Sequence, residues 1–170
     1  MENASKALLM AGGVLLGIMI LSLAVYLFSN FGSTSSTIHE NIETNQISQF
    51  NSQFMQYVGK ENVTIYDVVS MAKLATQNNQ NYEFAHRAPA EVTDKDMYIS
   101  VICQNSSIEL GYNKTQTAEQ RKNQVETHFN DLISNELNFV TENGLPKYDV
   151  QVYISDITKR VYKVVCIKKT

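Results

Sequence analysis

The residues that could do chemistry are few and far apart. Three histidines, His39, His86 and His128, fall in three separate segments. A metal site would need them to converge with carboxylates, and their scatter points instead to solvated or capping roles. Asp94 and Asp96 flank Lys95 just before an apolar run. Two loop carboxylates without further oxygen ligands nearby make a charged turn rather than a calcium site. The chain contains no G-x-S-x-G, no Walker-type glycine loop, no G-x-G-x-x-G and no H-E-x-x-H. No catalytic residue, no metal and no cofactor is therefore expected, and the chain reads as a non-enzyme.

Cys103 and Cys166 each close an apolar, β-like run. Outside the cytoplasm such a pair permits one disulfide, closing a loop of about 60 residues and adding roughly 2–4 kcal/mol by the chain-entropy estimate. The other alternative is two buried thiols. In the soluble part N-x-S/T triplets begin at Asn62, Asn105 and Asn113 and would matter only in a glycosylating secretory pathway.

These scattered groups must be positioned by elements legible in the hydropathy pattern. Residues 7–28, ALLMAGGVLLGIMILSLAVYLF, carry no formal charge. As a helix they would reach ~33 Å at ~1.5 Å per residue, enough for the ~30 Å hydrocarbon core of a bilayer. A transmembrane helix is expected there. A cleavable signal peptide has a shorter apolar region, about 7–15 residues, and an A-x-A signature that is missing after Phe28. The six residues before the span include Lys6 and the α-amino group, and residues 29–37 hold no charge. That bias places residues 1–6 in the cytoplasm and the remainder outside it, at the plasma membrane as a single-pass protein. Glu2 and Lys6 stand four apart in the order that favours pairing on a helix. Gly13 and Gly17 form a G-x-x-x-G, with Ala7 and Ala11 adding small residues along a neighbouring part of the surface. Glycines so spaced let a second helix backbone approach closely, although glycine is common in spanning helices generally.

Residues 29–59 read as a small polar stretch, either a hinge or a weakened continuation of the helix, followed by an amphipathic extension. Ile38, Ile42, Ile47, Phe50 and Phe54, with Tyr57 or Val58, recur at mostly helical gaps up to Gly59. The stripe needs a surface to pack on, in its own head domain, in neighbouring subunits, or in both.

Residues 60–170 are expected to form an α+β head. Thr64 and Asp67 make a capping pair with Val63 and Val68 as a staple. Ile65, Val68, Val69, Ala72 and Leu74 or Ala75 form the buried face of that helix, which should stop near the run Asn78-Asn79-Gln80-Asn81. Residues 97–103 and 108–112 read as strands. Thr117 to Gln120 is a second capping box, opening a helix with Val125, Phe129, Leu132, Ile133, Leu137 and Val140 on one face and a stop at Asn143-Gly144 before Pro146. Residues 148–154 and 160–168 form a C-terminal hairpin. The expected fold class is thus α+β: an N-terminal transmembrane helix with an amphipathic extension, then a small head of two helices and a three- or four-stranded antiparallel sheet.

Fourteen basic against 17 acidic residues give a formal net charge of −3. No basic cluster is present to neutralise phosphates, so no nucleic-acid partner is expected, and Lys168 and Lys169 read as a solvated strand end.

A single apolar N-terminal helix, an amphipathic continuation and a C-terminal α+β head resemble a type IV pilin or pilin-like subunit. The resemblance covers the layout of the whole chain and, at residue level, Glu2 followed by Ala7-Leu8-Leu9-Met10; Ser5 stands where that family carries an acid. It implies that the apolar helices pack into a filament core while the heads form its surface. It also implies that Glu2 neutralises a neighbouring terminal amine or Lys6. The expected partners are membrane lipid, further copies of the chain and other envelope subunits. The reading is a structural subunit that self-associates through its span and stripe into a filament or cell-envelope assembly. The alternative is an anchored extracytoplasmic binding or accessory module for a protein or small ligand.

Overall fold

A computed structural model describes residues 2–140 and 144–169, apart from the His39 side chain. The chain divides into two compact units, residues 2–46 and 47–169.

Helix α1 spans Glu2–Met55 without interruption. Of the two readings of residues 29–37, a hinge or a continuation of the helix, the helix continues through them. Ser33 Oγ donates to the Asn30 carbonyl at 3.0 Å and Thr37 Oγ1 to the Ser33 carbonyl at 3.1 Å. These back-bonds satisfy the hydroxyls within the helix without adding to its stability. Part of α1 is long and apolar enough to cross a membrane.

The stripe divides in burial along its length. Phe54 is fully buried, Ile47 and Phe50 are half-buried, and Ile38 and Ile42 stay exposed. The second compact unit begins at Ile47 and so takes in the C-terminal part of the stripe. Phe50 meets Phe54 edge-on at 5.5 Å, and both pack into the core of residues 47–169. Asn51 adds a polar clasp: its amide donates to the Lys159 carbonyl at 2.7 Å and its side-chain oxygen accepts the Val161 N–H at 2.9 Å.

Four strands follow: β1 Ser100–Cys103, β2 Ser106–Ser107, β3 Tyr148–Ile154 and β4 Val161–Lys168. Their order is β2-β1-β4-β3. The sheet is mixed, which corrects the antiparallel expectation. The β3–β4 hairpin and the β1–β2 pair are antiparallel, but β1 runs parallel to β4, with Ser100 opposite Lys163 and Cys103 opposite Cys166. The cause is the helix between β1 and β3, which returns the chain so that the hairpin delivers its second strand, not its first, beside β1. The expected strand at 108–112 is also absent. Pairing stops after Ser107, because Ile108 still donates to Val101 (2.9 Å) but the Glu109 side chain takes the Val101 N–H that a strand partner would need.

Helix α2 spans Ile65–Asn81, with Thr64 as its N-cap and the Asp67 carboxylate accepting the Thr64 N–H at 2.9 Å. Helix α3 spans Ala118–Leu137 and carries a complete box. Gln120 N–H donates to Thr117 Oγ1 (3.2 Å), and Thr117 N–H donates to Gln120 Oε1 (2.8 Å). It ends ahead of the expected stop at Asn143-Gly144; residues 141–143 lie outside the described part. The core joins Phe54, Val68, Met71, Ala72, Phe129, Tyr148 and Val164 across α1, both other helices and the sheet. Gly111 has no room for a side chain, since a Cβ there would fall on the backbone of Ala85 and His86.

Candidate functional site

Residues 2–46 present two kinds of surface. Every large apolar side chain from Leu8 to Phe31 is exposed. In water such a face costs roughly 25 cal/mol per Å² of apolar area left exposed. Within it, a Cβ placed at Gly13 or Gly17 would meet nothing within 4 Å. At about 100° per residue the Ala7–Ala11 pair lies about 120° around the helix from the glycines, so the four small residues form two tracks, not one. Ala24, about two turns beyond Gly17, continues the glycine track and is half-buried between its larger neighbours; the sequence reading missed it. At the N-terminal end, Lys6 Nζ lies 3.1 Å from Glu2 Oε1, so the expected pair forms within one helix.

In residues 47–169 the groups singled out for chemistry do not converge. His86 is exposed, and His128 Nε2 sits 2.9 Å from the Ile108 carbonyl. The His39 side chain lies outside the described part. Asp96 pairs with Arg87 and accepts the Tyr98 N–H at 3.0 Å, while Asp94 offers its backbone carbonyl to Ser155 at 2.6 Å. Among the described residues no three His, Cys, Asp or Glu side chains could hold a metal ion. Cys103 and Cys166 are register partners on β1 and β4, and both are thiols here. Burial pushes the Cys103 thiol up to about 11, with Glu136 adding to it, and the Cys166 thiol up to about 12. Neither is a nucleophile at neutral pH, since the thiolate is the reactive form.

The polar group that sequence reasoning missed is Glu109. It is 1% exposed. Its Oε1 accepts from Tyr98 Oη (2.9 Å) and Ser100 Oγ (3.1 Å), and its Oε2 accepts the Val101 N–H (2.8 Å). Burial holds the Glu109 carboxyl above the usual carboxylate range, against the pull of those hydrogen bonds. Tyr98 in turn accepts the Arg87 N–H at 3.0 Å, and the Arg87 guanidinium lies over the Phe84 and Tyr98 rings. Tyr98 and Ser100 are fully buried, so no substrate reaches this network. It fastens the 84–98 loop and residues 108–111 to β1. Asn79 does similar work: its side chain exchanges two hydrogen bonds with the Ile99 backbone, at 2.8 and 2.9 Å, tying α2 to the approach of β1.

The chain matches no protein-family model, no curated protein and no solved structure.

Proposed function

We propose that this protein is a membrane-anchored structural subunit, in which residues 7–28 span the bilayer once and associate with the same helix of other copies to build a pilus-like filament or cell-envelope assembly. The single observation that carries the reading is the exposed apolar face of α1 from Leu8 to Phe31, which nothing in residues 2–46 covers. Lipid satisfies part of that face, and the open track at Gly13 and Gly17 admits a second helix at close range. The charge bias around Lys6 sets the N-terminus in the cytoplasm and residues 47–169 outside. The pilin-like layout gives the same division between a helical core and a surface of heads. Ile38 and Ile42, exposed beyond the span, extend the packing surface between copies.

Electron microscopy and chemical crosslinking of the full chain in its membrane test this. Ordered filaments or crosslinked ladders are expected. Gly13→Leu combined with Gly17→Leu should abolish them while leaving the melting of residues 47–169 unchanged. Undiminished ladders in that double variant would overturn association through the glycine track.

A further inference from the structure

Helices α2 and α3 enclose a groove of about 560 Å³ whose charge runs opposite to that of the chain as a whole. Lys73, Arg121 and Lys122 line it together with a single acid, Glu126. Among the described residues neither lysine has an ion-pair partner. Arg121 is held in place from behind. Its Nη1 donates to the Asn113 carbonyl at 3.2 Å and to the Gln116 carbonyl, and its guanidinium stacks on the Tyr112 ring at 4.7 Å. Nη2 and Nε therefore have no protein acceptor among the described residues, and the flat fork is fixed before any ligand arrives. Pre-organisation of that kind lowers the ordering cost of binding an anion. Thr76, 2% exposed at the base of the groove, accepts the Leu110 N–H at 2.8 Å and so ties the groove's floor to the 108–111 segment. Gln77, Gln80 and Asn81 bring amides along the same side.

We propose that this groove binds a phosphate ester carried on a hydroxyl-rich body, a sugar or polyol phosphate. Three cations less the Glu126 carboxylate leave a charge of +2, which a phosphomonoester with up to two charges matches and a single carboxylate would only half match. Arg121 takes two phosphate oxygens through its free edge, Lys73 and Lys122 neutralise the remainder, and the amides of Gln77, Gln80 and Asn81 meet the ligand's hydroxyls. A polyol-phosphate polymer carries only one charge per phosphodiester and so matches the groove less well.

Titration calorimetry of the full chain in detergent micelles, with glucose 6-phosphate, glucose, inorganic phosphate and poly(glycerol phosphate) as the four probes, decides the matter. Glucose 6-phosphate should bind saturably, about tenfold or more tighter than glucose or inorganic phosphate, a difference of at least about 1.4 kcal/mol. Lys73→Gln with Lys122→Gln should weaken it about tenfold or more, and both lysines are exposed, so the fold should tolerate the change. Glu126→Gln, removing the one opposing charge, should tighten it a few-fold. Poly(glycerol phosphate), with one charge per phosphodiester, should bind more weakly per phosphate than glucose 6-phosphate, and equal or tighter binding by the polymer would overturn the monoester assignment. No saturable binding by either phosphate ester, inorganic phosphate binding as tightly as glucose 6-phosphate, or a double variant with unchanged affinity would each overturn the proposal.

Discussion

The two units of this chain solve the same problem in opposite ways. Residues 47–169 hide their apolar side chains among themselves, with Phe54, Val68, Met71, Phe129 and Val164 all at 0% exposure. Residues 2–46 hide almost nothing, and Leu8, Phe28 and Phe31 are 78%, 80% and 69% exposed. A closed core buries its apolar surface within its own unit, whereas the apolar face of residues 2–46 is left uncovered by that unit. The division runs inside one helix, between Gln46 and Ile47, so helicity alone does not decide which side chains are internal.

The sharpest way to break this contrast is to exchange large-to-small changes across it. Phe54→Ala should destabilise residues 47–169 by about 3–5 kcal/mol in a denaturant melt. Ile42→Ala, the same kind of truncation on the exposed part of the stripe, should shift that melt by less than about 0.5 kcal/mol. Equal effects would erase the boundary at Ile47. Next in size, Leu16→Arg should cost about 3–4 kcal/mol of membrane insertion, read as the membrane-integrated fraction in an insertion assay, with an unaltered melt of the head. Loss of both insertion and fold would mean that the units are not separable. Glu109→Ala should cost about 1–3 kcal/mol by leaving buried donors on Tyr98, Ser100 and Val101 without an acceptor.

Glu109 also gives a pH test with a definite sign. Its carboxyl is held above the ordinary value of 4.5, so the folded head keeps a proton that the unfolded chain has released. The stabilisation is complete below 4.5, falls as pH rises towards the folded-state value, and then levels off. Melts of the wild type and Glu109→Gln across that window should differ in slope, and a Gln variant with the wild-type slope would assign the effect to another group. Among the changes expected to destabilise the head the smallest is Thr117→Ala, about 1 kcal/mol in the same denaturant melt from the lost cap of α3.

What could be read from the sequence was whatever local chemistry specifies. The caps at Thr64 and Thr117 and the β3–β4 hairpin lie where their residues place them, because each depends on groups within a few positions. The β1–β4 pairing is set by partners some sixty positions apart, and alternation within a strand is the same whether its neighbour runs parallel or antiparallel. The serine-rich run at 29–36 offered a hinge or a helix with equal chemistry, because serine side chains bond the backbone in either, and the helix runs through it. Asn78 and Asn79 looked like helix stoppers competing for their own backbone. The helix does end at Asn81, yet those amides are spent on Met97 and Ile99. Glu109 carried one unread signal, an acid between Ile108 and Leu110 beside an apolar strand, which marks a carboxylate that folding has to bury. The Lys73–Arg121 groove left no signal, since its cations come from two helices far apart in the chain.

The position of β4 sets a timetable for synthesis. It is the last strand to be made and it sits between β1 and β3, contributing Val161, Val164 and Cys166 to the core. At about 5–20 residues per second, β1 waits several seconds on the ribosome before its long-range neighbour exists. Over that interval α1, whose residues precede β1 by more than forty positions, has already been made. The sheet therefore cannot close until synthesis is almost over, while every residue of the apolar helix is present long before.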